Sequence, residues 1–420
     1  MLHQIDIRKY GPQAENMAEQ VKTCVHCGFC LPACPTYRVL GEEMDSPRGR
    51  IVLMKGVLEE SIAAQEALPY LDSCLGCLAC VPACPSGVRY QELITPFRAL
   101  PGVRASRSVG DRLRLWLAEM VLPYPKRFYA ATALGICLKG MANFAPGSIS
   151  SLLTLLPDRL PKKRELPETQ PAVGKRRARV ALLIGCVQEV LNPEITDACL
   201  EVLSRNGVEV VIPRNQSCCG ALSLHSGAAV QARALAGNNL GAFPRDIDCI
   251  ITTAAGCGSG MKEYPLLFKG QAEEERAREF SSRVRDVAVF LDDLGLADAP
   301  PALSRPWRVA YHDACHLLHA QGIREAPRRL LRSIPNLDLL DPPDSETCCG
   351  SAGTYNLQQP VMAGQLGEQK ARNILATGAE ALAAGNIGCL VQIRAHLAAL
   401  GHPLPVYHPV QILALAYCSS

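Results

Sequence analysis

The sequence has few aromatic residues, almost no net charge and no long uninterrupted apolar run. Aromatic residues make up 5% of the 420 residues, and the formal net charge is +3 at pH 7. This balance excludes a protein that coats nucleic acid, which needs a strongly basic surface. The longest apolar-leaning stretch, Phe128 to Phe144, is interrupted by Lys139 and falls short of the about 20 apolar residues that span a bilayer. We therefore expect neither a nucleic-acid partner nor a spanning helix.

Nucleotide-binding patterns and an export signal are also missing. No G-x-G-x-x-G opens a helix after a strand, and no G-x-x-x-x-G-K-[ST] occurs. The first nine residues contain no apolar signal region, so we expect a protein of the reducing cytoplasm. The run from Pro157 to Arg179 is rich in Pro, Lys and Arg and predicts a solvated linker. Anchoring of this run to anionic lipid, at the inner face of the cytoplasmic membrane, is an open alternative.

Cysteine is what the sequence has in excess, with 20 residues. A chain of this length can bury a core without disulfides, and clustered thiols in a reducing compartment indicate metal ligands. Two tight groups follow the pattern C-x₂-C-x₂-C-x₃-C-P of two-cluster bacterial ferredoxins. The groups are Cys24, Cys27, Cys30 and Cys34, and Cys74, Cys77, Cys80 and Cys84.

The spacing within these groups predicts two [4Fe–4S] clusters. Three thiolates two residues apart can wrap one face of a cluster, and the fourth, followed by Pro, starts a segment that crosses to the other cluster. We therefore assign Cys24, Cys27, Cys30 and Cys84 to a first ferredoxin site, and Cys74, Cys77, Cys80 and Cys34 to a second ferredoxin site. Zinc and disulfides are the alternatives, but zinc favours two separated C-x₂-C pairs.

The last 240 or so residues contain an internal repeat that carries eight more clustered cysteines. Each copy has one Cys, then Cys-Cys-Gly, then a later Cys, and the matching positions lie about 130 residues apart. The first CCG site is Cys186, Cys218, Cys219 and Cys257; the second CCG site is Cys315, Cys348, Cys349 and Cys389. Four thiols suit either an iron–sulfur cluster or a tetrahedral zinc, so both remain open for each copy.

Alternating strand-like and helix-like segments in each copy predict an α/β unit with a mostly parallel sheet. The clustered cysteines follow the strands, and the loops at the carboxyl ends of parallel strands converge on one edge of a sheet. We therefore expect an α/β plus α protein: a helical two-cluster ferredoxin-like domain at residues 1–100, a helical connector with the basic linker at 101–178, and two homologous α/β CCG domains at 179–300 and 301–420.

Several residues near the cysteines have weaker signals. Ser46 and Pro47 predict the start of a helix, as cap and first helical residue. Arg48 and Arg50 on that helix either stabilise a reduced cluster or only pack at the surface. His312 and His316 flank Cys315, and we favour supporting contacts over a ligand role; Leu183 takes the place of His312 in the first copy. The solitary Cys137, Cys199, Cys249 and Cys418 predict small buried hydrophobic residues.

Together, the two ferredoxin runs and the two CCG domains resemble the iron–sulfur subunit of glycolate oxidase. The stretches that carry the resemblance are Cys24 to Cys30, Pro47 to Arg50, Cys84 to Tyr90 and, most specifically, Cys348 to Tyr355. Wider relatives are the iron–sulfur subunit of anaerobic glycerol-3-phosphate dehydrogenase and the heterodisulfide reductase CCG subunit. The latter ends each motif in C-x-x-C, where this sequence has Gly260 and Gln392, so a fifth thiolate is missing and electron relay is favoured over heterodisulfide chemistry.

The resemblance implies an electron-transfer subunit of a glycolate dehydrogenase with no catalytic residue of its own. An FAD-binding subunit and a second flavoprotein-like subunit are the implied partners, flavin being on the partner only, and a membrane acceptor takes the electrons. A partner specific for glycerol 3-phosphate or lactate, and a zinc-stabilised CCG interaction module without a redox role, are the alternatives.

Overall fold

The structure, a computed structural model, describes residues 4–140, 153–162 and 164–418. Its N-terminal part is helical, and the described residues before Thr169 contain no strand. The α-helices there are Ala14–Thr23, Pro35–Leu40, Pro47–Leu58, Ala64–Asp72, Gln91–Ala99, Pro101–Ala105, Val109–Val121 and Pro125–Leu138, with short 3₁₀ helices at Ile7–Lys9 and Glu43–Asp45.

The helix Pro47–Leu58 begins where the sequence predicts. The Ser46 side chain accepts a hydrogen bond from the Gly49 N–H at 3.0 Å, which satisfies one of the unpaired amides of the first turn. A Cβ added at Gly49 would overlap the carbonyl oxygen of Glu43. The missing side chain therefore lets this helix pack closely on the preceding 3₁₀ helix.

The first CCG domain is built on a five-stranded sheet with the order β1-β3-β2-β4-β5. Strand β1 is antiparallel to β3, and the other neighbours are parallel. The strands are β1 (Thr169–Gln170), β2 (Ala178–Leu182), β3 (Val208–Val211), β4 (Cys249–Thr252) and β5 (Val284–Asp286). The helices are Gln188–Leu191, Glu194–Arg205, Ala221–His225, Ala229–Ala242, Ala255–Lys262, Tyr264–Leu267, Glu274–Ser282 and Val287–Leu294.

The second CCG domain repeats this plan with a four-stranded, all-parallel sheet of order β7-β6-β8-β9. Its strands are β6 (Trp307–His312), β7 (Leu337–Leu340), β8 (Ala381–Ala384) and β9 (Val406–Tyr407). Its helices are Cys315–Gln321, Glu325–Arg332, Tyr355–Gln358, Pro360–Leu375, Ile387–Ala399 and Pro409–Cys418. The predicted fold class, a helical N-terminal domain followed by two parallel-sheet CCG domains, is confirmed.

The two sheets share one hydrophobic core. Buried residues of β2 and β6, such as Val180 and Val309, belong to the same apolar cluster. The C-terminal helix crosses to the first CCG domain, where the Arg205 guanidinium donates to the Tyr417 carbonyl oxygen at 3.1 Å. This shared core holds the two repeats in one fixed arrangement.

Two segments between the domains differ from the sequence expectations. The run from Pro157 to Arg179 is not only a solvated linker, because β1 within it pairs with β3 and closes one edge of the first sheet. The apolar stretch from Phe128 onward forms the helix Pro125–Leu138, while residues 141–144 at its end lie outside the described residues. Across the described part of the chain, no helix has the length and apolar character needed to cross a membrane.

Candidate functional site

The first ferredoxin site gathers Cys24, Cys27 and Cys30 from one loop and Cys84 from the other. All four line one small cavity. Burial, together with the neighbouring Cys24 and Cys84 thiols, raises the pKa of Cys30 to about 11. The Val88 N–H donates to Cys84 Sγ at 3.5 Å, the kind of amide contact that stabilises sulfur bound to iron.

The second ferredoxin site has the same composition with the two loops exchanged. Cys74, Cys77 and Cys80 come from the second loop and Cys34 from the first, around a separate cavity. The Gly76 N–H donates to Cys74 Sγ at 3.4 Å. The structure therefore brings together the two crossed sets of four cysteines that the spacing assigns to two clusters. That these sets are the cluster ligands stays a prediction.

Both ferredoxin loops coil in the same way around their second cysteine. The residues on either side of it have left-handed backbones: His26 and Gly28 in the first loop (φ 56° and 88°), and Gly76 and Leu78 in the second (φ 63° and 62°). These left-handed residues tighten the loop so that its three thiols reach one cavity. His26 thus occupies a turn position, with its Nδ1 3.9 Å from Cys24 Sγ.

Arg50 is fully buried beside the second ferredoxin site, with 1% of its surface exposed. Its guanidinium donates to Asp45 Oδ1 at 3.0 Å and lies 3.6 Å from Cys34 Sγ. Burial raises the pKa of Cys74, but Arg50 and then Arg98 outweigh this effect and leave the pKa of Cys74 below its ordinary value. Arg50 therefore contacts a cysteine of the site, which supports the prediction that it stabilises a reduced cluster. The alternative prediction, that Arg50 only packs at the surface, is wrong.

Arg48 has a different role, on the partly exposed side of the same helix. Its guanidinium pairs with the Glu43 carboxylate at 2.6 Å and donates to the His26 carbonyl oxygen at 3.0 Å. Arg48 therefore fixes the backbone of the first ferredoxin loop, whereas Arg50 contacts a cysteine.

The first CCG site lies where the carboxyl ends of β2, β3 and β4 meet. Cys186 Sγ and Cys218 Sγ are 3.3 Å apart, and the Cys219 thiol interacts with those of Cys218 and Cys257. Gly220 has a left-handed backbone (φ 77°), and its N–H donates to Cys218 Sγ at 3.5 Å. The glycine turn thus lets two adjacent cysteines face one site, as the sequence predicts.

The second CCG site has the same arrangement in the second repeat. Cys315 Sγ lies 3.9 Å from Cys348 Sγ, and the Cys349 thiol interacts with those of Cys348 and Cys389. Gly350 also has a left-handed backbone, with φ 85°. All four cysteines predicted for each copy are therefore brought together, and their role as metal ligands stays a prediction.

One cavity of ≈ 550 Å³ joins the two CCG sites, with cysteines of both sites in its wall. The second ferredoxin site adjoins it, because the Cys77 thiol interacts electrostatically with those of Cys315 and Cys348. Tyr355 fixes this junction, as its hydroxyl donates to the Ser73 carbonyl oxygen at 2.8 Å. Three of the four cysteine sites therefore surround one interior space.

A histidine pair lies in the wall of this cavity. His316 contacts Ser259 Oγ at 2.6 Å and the Gly76 carbonyl oxygen at 3.0 Å, so it joins both CCG domains to a ferredoxin loop. Its ring is 5.4 Å from that of His225, which contacts Glu263 Oε1 at 3.1 Å. His316 therefore has the supporting role that the sequence favours, through partners that are distant in sequence.

A buried lysine distinguishes the second CCG site and was not anticipated. The Lys370 ammonium group donates to the Ser345 carbonyl oxygen at 3.3 Å and interacts with the Cys349 and Cys348 thiols. Burial lowers the pKa of Lys370 below its ordinary value. The only signal in the sequence was a lysine within the apolar stripe of the helix Pro360–Leu375, four residues from Leu366 and from Ile374.

The equivalent position in the first repeat is neutral. The helices 229–242 and 360–375 align by their contacts with the glycines of the two Cys-Cys-Gly turns, which sets Asn239 opposite Lys370. Asn239 donates to the Cys218 carbonyl oxygen at 3.1 Å. The two CCG sites therefore share their cysteines but differ in nearby charge.

The four solitary cysteines do not behave alike. Cys199 and Cys249 are buried, as predicted for small hydrophobic residues. Cys137 and Cys418 are exposed, so that prediction is wrong for them. Both lie at or near the C-terminal end of a helix, where spacing in the sequence does not tell which side of the helix faces solvent.

The residues present fit iron–sulfur clusters at the ferredoxin sites. Each site offers four thiols around one cavity, backbone N–H groups reach their sulfur atoms, and the described cysteines form no disulfide. Backbone donors to sulfur are characteristic of cluster-binding loops. The eight cysteines would hold the clusters, and the clusters would supply one-electron chemistry.

Comparison with known families agrees with this geometry. A model described as a 4Fe-4S dicluster domain matches residues 20–88, and one described as a cysteine-rich domain, CCG, matches residues 180–262 and 309–394. The ferredoxin-type and CCG motifs are thus each recognised independently of the structure.

Two relatives that match nearly the whole chain are named as glycolate oxidase iron–sulfur subunits, and a relative of part of the chain has another name. The chain is 36% identical over 400 residues to the "Probable glycolate oxidase iron-sulfur subunit" of Bacillus subtilis, covering 90% of each protein. It is 35% identical over 401 residues to the "Glycolate oxidase iron-sulfur subunit" of Escherichia coli, covering 94% of each. "Lactate utilization protein A" of Oceanobacillus iheyensis is 31% identical over 237 residues, which is 56% of this chain and 96% of that protein.

Proposed function

Because the chain belongs to the family of glycolate oxidase iron–sulfur subunits, we propose that it is the electron-transfer subunit of a glycolate dehydrogenase. A partner flavoprotein oxidises glycolate to glyoxylate, which releases two electrons and two protons. Flavin takes such a pair, and this chain has no nucleotide-binding motif, so the FAD is on the partner. A second flavoprotein-like subunit completes the complex.

The observation that carries this proposal is the contiguity of three cysteine sites. Cys30 of the first ferredoxin site interacts with Cys80 of the second, and Cys77 of the second interacts with Cys315 of the second CCG site. An iron–sulfur cluster, when bound, takes up and releases one electron at a time. The cysteines would thus hold a row of redox centres that leads from the exposed Cys27 to the interior cavity.

The charged residues around this row determine which centres are reduced most readily. Arg50 and Arg98 favour the more negative, reduced state at the second ferredoxin site, and the Lys370 ammonium group does the same at the second CCG site. Tyr355 and His316 hold the two domains together at the point of transfer. The acceptor is in the membrane, and the chain works in the cytoplasm with peripheral attachment to the inner face of that membrane.

The test is reconstitution of the full chain with its FAD-binding partner. Glycolate, lactate and glycerol 3-phosphate are each offered with a dye that accepts electrons. We expect this chain alone to reduce no dye, and the complex to reduce it with glycolate as the preferred substrate. Turnover by the chain alone would overturn the assignment of the flavin to the partner. Preference for lactate would move the proposal to the function named for the lactate utilization relatives.

Iron analysis of anaerobically purified protein tests the cluster assignment separately. We expect about eight iron atoms from the ferredoxin sites, at four per cluster. Cys77→Ser should remove one cluster and interrupt dye reduction by the complex, while the exposed Cys418→Ser should change neither. Unchanged iron in Cys77→Ser would contradict the assignment, and zinc without iron at both CCG sites would favour the alternative of a zinc-stabilised module.

A further inference from the structure

The most unusual polar group outside the cysteine sets is the imidazole of His312. This residue ends β6 and is fully buried, with 0% of its surface exposed. Its Nδ1 lies 3.1 Å from the Ser345 carbonyl oxygen. Since a carbonyl oxygen only accepts hydrogen bonds, Nδ1 carries the proton and Nε2 keeps a free lone pair. The contact with Ser345 thus fixes both the tautomer and the direction of the ring.

The lone pair on Nε2 has no hydrogen-bond partner among the described residues. Buried nitrogen atoms are nearly always satisfied, so such an exception needs a reason. The reason lies beside the ring: a ring nitrogen of His312, Cys349 Sγ and Cys389 Sγ all lie within 4.8 Å of one another. In the described part of the chain, this is the only group of three or more His, Cys, Asp or Glu side chains that meets this distance.

The backbone partner of His312 is held in place by a buried ion pair. Asp313 is paired with the Arg328 guanidinium at 2.6 and 2.7 Å, and it also accepts a hydrogen bond from Ser345 Oγ at 2.9 Å. This ion pair fixes the loop whose carbonyl oxygen receives the His312 Nδ1–H. Metal-binding histidines typically donate their second ring N–H to a carbonyl oxygen or a carboxylate in this way.

We propose that His312 is a metal ligand, through Nε2, at the second CCG site alongside Cys315, Cys348, Cys349 and Cys389. The proposal rests on the proposed function in that the metal is the iron of a cluster. Four thiols and one imidazole make five donors, one more than a tetrahedral zinc takes. A four-iron cluster bound by all five would have one iron with two protein ligands, as one iron of a Rieske centre has two histidines. Leu183 stands at the matching position of the first copy, so the first CCG site has thiols only.

The test compares His312 with a matched histidine of the same domain. His408 is also buried, but its Nδ1 accepts the Val410 N–H at 3.2 Å and it forms no group with cysteines in the described structure. Full-length protein is prepared with ¹⁵N-labelled histidine, reduced, and examined by pulsed electron paramagnetic resonance, together with iron and zinc analysis. The variants are His312→Leu, His312→Cys and the control His408→Leu.

We expect a ¹⁵N coupling typical of a bound imidazole in the wild type and in His408→Leu. It should be absent from both His312 variants, with iron lost from His312→Leu and retained in His312→Cys, because a thiolate replaces the donor. A coupling that persists in His312→Cys, or that is absent from a wild type whose second CCG site contains iron, overturns the proposal. If the second CCG site contains zinc instead, X-ray absorption at the zinc edge replaces the resonance measurement. A nitrogen ligand of zinc that disappears in His312→Cys would support His312 as a ligand but contradict an electron-relay role for this site. The ligand role of His312 and the proposed relay function can therefore fail separately.

Discussion

Single side chains set the properties of the cysteine sites, and the buried Arg50 is one of them. It donates to the Tyr70 carbonyl oxygen at 2.7 Å, to Thr36 Oγ1 at 2.9 Å and to Ser73 Oγ at 2.8 Å, besides its ion pair with Asp45. Removing one partner of a buried ion pair leaves the other charge unpaired, which costs about 3–5 kcal/mol. A surface pair is worth only about 0–1 kcal/mol.

We therefore expect Arg50→Met to lower the free energy of unfolding by about 3 kcal/mol or more. It should also lower the reduction potential of the second ferredoxin cluster, because a positive charge beside Cys34 is lost. Urea unfolding and a redox titration measure the two effects. Arg48→Met is the control, since the Arg48 guanidinium pairs with the partly exposed Glu43 and its charge acts on Cys24 and Cys30 of the first ferredoxin site. Equal effects from both variants would contradict the special position of Arg50.

The two CCG sites provide a second prediction at this scale. The Lys370 charge and the His312 imidazole lie only beside the second site, whereas the first has Asn239 and Leu183. Backbone amides reach CCG thiols at both sites, from Gly220 to Cys218 and from His316 to Cys315, so amide contacts do not distinguish the two sites. We expect Cys349→Ser to lose iron and to block transfer to a quinone analogue, and Cys219→Ser to do neither. Equal loss in both variants would show two equivalent relay clusters.

Helices carry several of the supporting residues, and their close contacts depend on glycine. Gly49 lies on the helix that bears Arg50, against the Glu43 carbonyl oxygen. Gly49→Ala should push this helix away from the 3₁₀ helix and destabilise the protein by about 1–3 kcal/mol, the usual cost of overpacking. Iron content at the second ferredoxin site should fall as Arg50 moves.

Gly364→Ala is the matched control for this helix prediction. Gly364 also lies within a helix, but a Cβ there meets nothing within 4 Å. The substitution should stabilise the protein by up to about 1 kcal/mol through helix propensity. Thermal unfolding of both variants distinguishes the two effects, and a Gly49→Ala variant as stable as the wild type would show that the helix has room to move.

At the scale of the whole molecule, the ferredoxin domain is pressed against the CCG domains by a backbone contact. Gly227 has a left-handed backbone (φ 88°), and a Cβ there would overlap the Arg98 carbonyl oxygen. Gly227→Ala should therefore open the junction beside Cys74, split the calorimetric unfolding transition into two, and slow electron transfer from the ferredoxin sites to the CCG sites.

Gly174→Ala separates this clash from backbone strain. Gly174 is also left-handed, with φ 73°, but a Cβ there meets nothing within 4 Å. Both variants suffer the strain of an alanine in this conformation, of about 1–2 kcal/mol. Only Gly227→Ala should split the calorimetric unfolding transition. A single transition in each of the two variants would show that association of the domains does not depend on this contact.

Features that depend on local spacing could be predicted from the order of the residues alone. The C-x₂-C-x₂-C-x₃-C runs bring thiols to one loop, Ser46 and Pro47 start a helix through contacts within one turn, and the repeated motif implies two sheets of the same plan. The helix Glu194–Arg205 ends directly before Asn206 and Gly207, a pair that favours a helix end, and this signal is equally local. Such features need only neighbouring residues, so composition and order suffice.

The surroundings of these thiols, in contrast, depend on the packing of distant segments. The burial of Arg50 against Cys34, the junction of Ser73 with Tyr355, the Lys370 charge and the free lone pair of His312 all join residues from separate elements. The exposure of Cys137 and Cys418 and the pairing of β1 with β3 are of the same kind. These outcomes follow from how whole elements pack, and a pattern read along the chain contains no measure of that packing.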